Sequence, residues 1–384
     1  MTRSVLFFCG QPLVARPVSQ RIAAFGAYLA DQGWDVRLTA VDPAFDGTPS
    51  LQVDPISGLE VEIIGPTHYH EQPDGTTAMT SPVTHLRACR EIARRLRDRA
   101  DEMQADRVLI STTHPSSLVA IGALRWSQTV CLDADDWTAG HFVAGGGGKL
   151  VASAYEAIER VVPRGAHRVT VCSNELAGLH PGATVVPNFI RLRDVPARAP
   201  AAEAKARVTF PASVTGYYGH QELLMALARR RADCGGLDVR FIGDGEALEE
   251  CRRIVAREGL GDVVQLMGHL DRPEMLRELV QADVGVLPLH DTRVDRARFP
   301  LKMLDALACG AALAASDVGM ARDTLTHRES ALLSPAGDMD ALVGDVLELA
   351  ASPELRARLS MAGRELVSRF DVDVVCARWM ELIS

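Results

Sequence analysis

FPLKMLDALACGAALAASDVG, residues 299–319, is the stretch whose reading decides the fold. Proline in a first turn and glycine just past the end bound a helix, so the spacing predicts a helix opening at Pro300 and stopping at Gly310. A buried strand from Ala312 to Ala315 follows. The first turn of such a helix leaves backbone N–H groups unpaired, and together with the helix dipole they make an anion site. Lys302 and Asp305 are three apart and share one helix face. A cation beside a helix N-terminus suits a diphosphate, and a carboxylate one turn further on suits the vicinal hydroxyls of a ribose. An ordinary aliphatic core helix carries the same pattern, and this stretch alone does not choose between them.

Working outward, the second half of the chain alternates strands and helices. A strand ending in GYYG (216–219), DVRFIG, VVQLMG and DVGVLPL are each followed by a helical segment. The first half does the same, with strands at Val5–Cys9, DVRLTAV, EVEII, RVLIST (107–112), TVCLDAD, RVTVCS and TVVPN, and helices around Gln20–Asp31 and Leu86–Met103. Such alternation predicts two parallel sheets, each covered on both faces. Residues 193–206, RDVPARAPAAEAKA, lack periodicity and read as a linker. The expected division is therefore 1–192, 193–206, 207–366 and a C-terminal helical segment 367–384. At 384 residues with 47% hydrophobic content, the chain has material for two cores.

A net charge of −9 argues against a nucleic-acid binder. The eight cysteines have no CxxC or metal-ligand spacing and read as buried free thiols, as a reducing cytoplasm would keep them. The N-terminus runs straight into a strand without a leader-like apolar region, and no apolar run approaches the ~20 residues of a membrane span. Arginines on Leu86–Met103 are interleaved with Glu91, Asp98, Asp101 and Glu102, a salt-bridged solvated face rather than a lipid-binding one. Nothing in the sequence reports an oligomeric state.

Several motifs stand at predicted strand ends. Gly243-Asp244-Gly245 follows DVRFI and precedes a helix; it is too short for a dinucleotide fingerprint, and a tight strand-to-helix turn explains it equally. His114, in STTHPSS, follows RVLIST; a solvated loop histidine is the plainer reading. LDADDW (132–137) clusters Asp133, Asp135 and Asp136, and carboxylates so close raise one another's pKa unless cations or hydrogen bonds intervene. Asp-x-Asp there has the look of a metal motif. GGGGK (145–149) has the wrong spacing for a phosphate loop and reads as a mobile loop.

Asp305, Ala306, Ala308 and Gly310, with the strand after them, resemble the donor-binding segment of retaining GT-B glycosyltransferases of the group 1, family 4-like kind. Order and spacing match that family over residues 207–366. The resemblance implies an α/β, GT-B architecture, two doubly wound Rossmann-like domains facing across a cleft. It implies transfer of a sugar from a nucleoside-diphosphate sugar (UDP or GDP) to a hydroxyl or amine acceptor, with retention of configuration and no metal. It further implies Asp305 on the ribose, Gly219, Gly243 and Gly245 in the nucleotide domain, and the base near His269 and Leu270. His114 would position the donor sugar, and Asp135, Asp136, Trp137 and Arg16 would lie on the acceptor side. The last helix is expected to cross back onto the first domain.

The chain also departs from the family. A carboxylate eight residues before Asp305 is replaced by Ala297, the loop GQPLVARPVSQR (10–21) lacks a glycine pair, and GYYGHQELL (216–224) lacks an Arg–Lys pair for the leaving diphosphate. Departure of a diphosphate develops negative charge that something must stabilise. Arg293, Arg296 and Arg298, crowding the loop before Lys302, and Arg16 in the first loop are, with the helix N-terminus, the candidates to replace the pair. A nucleotide-sugar 2-epimerase and a non-enzymatic partner subunit of the same fold are the alternatives.

Overall fold

The computed structural model describes residues 3–12, 17–54, 57–67, 69–71, 77–144, 148–198 and 205–384. The chain forms two compact units, Met1–Pro187 with Val375–Ser384, and Asn188–Val374. Residues 199–204 of the expected linker, Arg16 and residues 145–147 of the glycine run lie outside the described residues.

The first unit begins with β1 (Ser4–Cys9), α1 (Pro17–Asp31), β2 (Asp35–Asp42), β3 (Ser50–Val53) and β4 (Glu60–Pro66). A small pair, β5 (Tyr69–Glu71) and β6 (Thr77–Met79), leads to α2 (Pro82–Glu102). Then come β7 (Arg107–Ser111), α3 (Pro115–Leu124), β8 (Thr129–Ala134), α4 (Thr138–Ala144) and α5 (Lys149–Gly165). The unit's sheet is completed by β9 (Arg168–Val171), α6 (Asn174–Leu179) and β10 (Thr184–Val185).

Its strand order is β10-β9-β8-β7-β1-β2-β4-β3, so the chain reverses direction across the sheet between β1 and β7. SVLFFC is buried at every position, as a central parallel strand covered on both faces must be. The sheet is not wholly parallel, contrary to expectation: β3 runs antiparallel to β4 at the edge. Its Ser50–Val53 is exposed throughout, so it carries none of the hydrophobic run that marks the other strands. Helix α2 starts four residues before the expected Leu86, because Ser81 caps it and Pro82 fills its first turn. Three of its arginines are ion-paired, Arg94 with Glu91 and Asp98, Arg95 with Glu91, and Arg99 with Glu62 and Glu102.

The second unit contains β11 (Ala206–Pro211), α7 (His220–Arg229), β12 (Leu237–Ile242), α8 (Leu248–Arg257), β13 (Val264–Gly268) and α9 (Arg272–Leu279). It continues through β14 (Val284–Leu287), α10 (Arg293–Ala297), α11 (Leu301–Cys309), β15 (Ala312–Asp317), α12 (Gly319–Thr324) and β16 (Leu332–Pro335). Helices α13 (Met339–Ala351) and α14 (Pro353–Val367) follow, and α15 (Val372–Ile383) carries the chain back to the first unit. The six strands are all parallel in the order β13-β12-β11-β14-β15-β16. The reversal between β11 and β14 is a topological switch point, where loops diverge to opposite faces and leave a crevice.

The helix of the quoted stretch begins at Leu301, with Pro300 as its cap residue, and ends at left-handed Gly310 (φ 77°). The strand expected to end in GYYG instead stops at Pro211, and the aromatic pair sits in the turn before α7. Proline has no N–H to continue a ladder. In the first unit, Trp379 of α15 is fully buried, stacked on Phe25 at 3.9 Å. All eight cysteines are buried and free. Among the described residues, no helix is long and apolar enough to cross a membrane.

Candidate functional site

At the switch point of the second unit, the loop after β11 meets the segment after β14. Tyr218 leaves the first and Arg298 and Lys302 come from the second. Lys302 Nζ stands 4.2 Å from the centroid of the Tyr218 ring and 5.4 Å from that of Phe210. The Arg298 guanidinium carbon is 4.4 Å from the same tyrosine ring. A cation over an aromatic face is attracted by the ring quadrupole.

Arg298 is 7% exposed and ion-pairs through Nη2 with buried Asp295, while its Nε and Nη1 have no hydrogen-bond partner. Asp295 is fixed in turn by the His290 amide (3.1 Å) and the Thr292 hydroxyl (2.9 Å). Lys302 makes no hydrogen bond or ion pair among the described residues. Burial holds its ammonium well below the ordinary lysine range; Arg298 pushes the same way and Asp295 opposes. Beneath it, His220 is buried 4.4 Å from Phe210, with both ring nitrogens unbonded. Burial, then the charge of Lys302, drives its pKa down to about 3, so the imidazole is neutral. Two basic side chains with unpaired donors, one carboxylate and the start of α11 thus form an anion-receiving corner.

The other expected donor residues are distributed around this corner. Asp305 is buried one turn along α11, and its Oδ1 accepts from Arg272 at 3.0 Å. Burial raises the Asp305 carboxyl while Arg272 lowers it. His269 is exposed and Leu270 half-buried, directly after β13. Arg296 does not join Arg298: its guanidinium reaches the carboxylate of Asp291. Gly219, at φ 78°, is the cap residue of α7. Gly243 and Gly245 serve the backbone. At φ 150° and 155°, a Cβ would sit 2.0 Å from the Ala212 carbonyl oxygen and 2.4 Å from that of Val214. The two loops are laced there by the Val214 amide donating to the Asp244 carbonyl at 2.9 Å.

In the first unit, His114 is not a solvated loop residue. It is 6% exposed, at the cap position of α3, with Nε2 3.3 Å from Gln11 Nε2 and its ring edge-on to Tyr155. The acidic cluster is sorted by Arg21, which the sequence reading passed over. Its Nε and Nη2 grip Asp133 Oδ2 and Oδ1 at 2.8 and 3.0 Å. Asp133 also accepts from Thr170 at 2.6 Å. Asp135 is buried with Oδ1 unpartnered, and Asp136 and Trp137 are half-buried. Glu159 caps α4 by accepting from the Thr138 amide at 2.6 Å and from Thr113 at 3.1 Å.

Burial pushes the Asp135 carboxyl up to about 7; Arg21 opposes this, and Asp136 and Asp133 add to it. Between its unfolded pKa near ~3.9 and that value, the native state holds a proton that the unfolded chain has lost, so stability falls as pH rises through the window. Asp135→Asn removes the penalty. Its stability relative to wild type is expected to grow by about 3 kcal/mol between about pH 5 and pH 8.5, read from melts at the two pH values. An unchanged difference would show Asp135 ionised throughout.

The whole chain is similar in fold to sucrose-phosphate synthase from Thermosynechococcus elongatus, with a TM-score of 0.78 at 17% identity over 99% of this chain and 98% of that one. The architecture is that of the GT-B glycosyltransferases, two Rossmann-like α/β domains. Residues 194–366 match the model of the family Glycosyl transferases group 1. The chain is 31% identical over 145 residues to a phosphatidyl-myo-inositol mannosyltransferase of Mycobacterium leprae, covering 38% of this chain and 37% of that protein. It is 30% identical over 163 residues to an exopolysaccharide phosphotransferase of Streptomyces coelicolor, covering 42% of this chain and 17% of that protein. The matched segments span less than two fifths of either relative.

Besides Arg21, the residues that sequence reasoning missed include Tyr218, His220, Arg272 and Asp295 of the second unit. Arg272 carried a legible signal. It stands between Asp271 and Glu274 of a capping box, which fixes it as the first residue of α9. The aromatic seat of Lys302 had none, because ring-to-cation contact has no sequence spacing.

Proposed function

We propose that the chain transfers a glycosyl unit from a nucleoside-diphosphate sugar, with UDP or GDP as carrier, to a hydroxyl or amine acceptor, with retention of anomeric configuration. The observation that carries this reading is the pair Arg298 and Lys302 at the switch point of the second unit, with unpaired donors beside the start of α11. The bond from the anomeric carbon to the diphosphate breaks as the bond to the acceptor oxygen or nitrogen forms on the same face. The acceptor's proton passes to the leaving phosphate. Arg298 and Lys302, rather than a metal, take up the charge that develops on that phosphate. Asp305 holds the ribose, His114 orients the donor sugar, and Asp135, Asp136 and Trp137 contact the acceptor. The match of residues 194–366 to the group 1 family supports the donor half of this reading. Eight buried free thiols suit the cytoplasm.

The test is incubation of the purified protein with UDP-, GDP-, ADP- and TDP-sugars, with and without an acceptor extract, followed by NMR of the products. One donor consumed only with acceptor, giving a glycoside of unchanged anomeric configuration, is expected. Interconversion of a nucleotide sugar without acceptor would replace transfer by 2-epimerisation. Inertness toward all four would leave a non-enzymatic partner subunit.

A further inference from the structure

Helix α9 presents one charged side chain to α11, and it goes to the carboxylate assigned to the ribose. The Asp271 side chain accepts from the Glu274 amide at 2.7 Å and the Glu274 side chain from the Asp271 amide at 3.1 Å, so the start of α9 is rigid. Leu276, Leu279 and Val280 pack with Cys309 of α11 and lock the two helices together. Arg272 Nη2 then donates to Asp305 Oδ1 at 3.0 Å. Asp305 is 6% exposed, and its Oδ2 makes no hydrogen bond among the described residues. The Arg272 side chain is about a third exposed, and its Nε and Nη1 are likewise unengaged.

A buried carboxyl drifts toward its protonated form, in which one oxygen becomes a donor and half its accepting capacity is lost. The guanidinium opposes that drift through both its charge and its hydrogen bond. It also fixes the carboxylate plane, since one oxygen is tied down while the other stays available. An ion pair serving only to lock α9 to α11 would need no second oxygen left open.

We propose that Arg272 is a positioning residue for the nucleoside, tying down Asp305 Oδ1 so that Oδ2 is turned to the ribose hydroxyls, and offering its own unengaged N–H groups to the same sugar. This rests on the nucleotide-sugar reading above. It assigns to Arg272 the discrimination between a ribonucleotide and its deoxy counterparts. A site built around hydroxyl hydrogen bonds rejects a ligand that lacks the hydroxyl, because its buried acceptor is then left unpaired.

The experiment is calorimetric titration of the full chain with the nucleoside diphosphate it prefers and with the 2′-deoxy and 3′-deoxy analogues. Wild type is expected to bind the ribonucleotide about 10–100-fold more tightly than at least one analogue. In Arg272→Ala and Arg272→Gln that ratio falls to within about threefold, and Arg272→Lys restores most of it. A wild-type ratio preserved in Arg272→Ala, with only a lower melting temperature, overturns the proposal and leaves a structural lock. Wild type binding the ribonucleotide and its analogues equally overturns it too, with nucleotide binding intact. Wild type binding no nucleoside diphosphate removes the nucleotide reading itself and this proposal with it.

Discussion

Lys302→Ala is expected to lower kcat/KM for the nucleotide-sugar donor by about 10²–10³-fold, the loss typical when one preorganised donor to a developing anion is removed. Its ammonium is seated over Tyr218 and Phe210 and not committed to any carboxylate. The interaction therefore strengthens as charge builds on the leaving phosphate, and the loss should fall chiefly on kcat. Thermal melts give an independent reading. A diphosphate at about 100 times its dissociation constant stabilises the folded state by roughly 2.7 kcal/mol. That shift should be present in wild type and absent in Lys302→Ala. Arg298→Ala should lose a comparable factor, and the double variant less than the product, since both cations answer the same charge. Wild-type turnover in Lys302→Ala would remove the corner around Tyr218 from the reaction.

Arg21→Ala is expected to destabilise the first unit by about 3–5 kcal/mol, the cost of leaving a buried carboxylate without its partner. Arg21 and Asp133 are both essentially inaccessible, at 2% and 0% side-chain exposure. The guanidinium donates further to the carbonyls of Pro187 and Val186, at 2.8 and 2.9 Å, and lies 4.6 Å from the Trp379 ring. One substitution thus strands an acid, two carbonyls and an aromatic face. In a unit of this size the melting temperature should drop by roughly 10 °C. Replacing the pair together, Arg21→Met with Asp133→Leu, should recover part of the loss, because the buried carboxylate goes with its partner while the two carbonyls and the Thr170 hydroxyl stay unpaired. A melt of Arg21→Ala within a degree of wild type would contradict this.

The α/β architecture was legible because its signals are local. Pro300 and Gly310 bracket α11, and apolar runs such as VLFFC mark central strands. What escaped was either short or long-range. Ser50–Val53 is an edge strand of only four residues, too short for its alternation to stand out, and its Leu51 and Val53 are exposed rather than buried. In the site, Lys302 and Asp305 could be named from helix spacing alone. Their partners could not: Tyr218 lies far back in the chain, and Arg272 reaches Asp305 across a helix–helix contact. The Asp133–Asp135 pair could be flagged but not sorted, since the guanidinium that neutralises one and not the other arrives from α1.

The return of α15 to the first unit has a consequence for synthesis. The segment Asn188–Val374 is contiguous and can condense as soon as it leaves the ribosome, whereas the portion translated first lacks Val375–Ser384. Until those residues emerge, Phe25 has no ring stacked on it and the guanidinium of Arg21 has no aromatic face beside it. At about 5–20 residues per second, translating the intervening segment takes roughly 10–40 s. The first unit thus completes its interior after the second has been translated, and for that interval its unfinished apolar surface is what chaperones would meet.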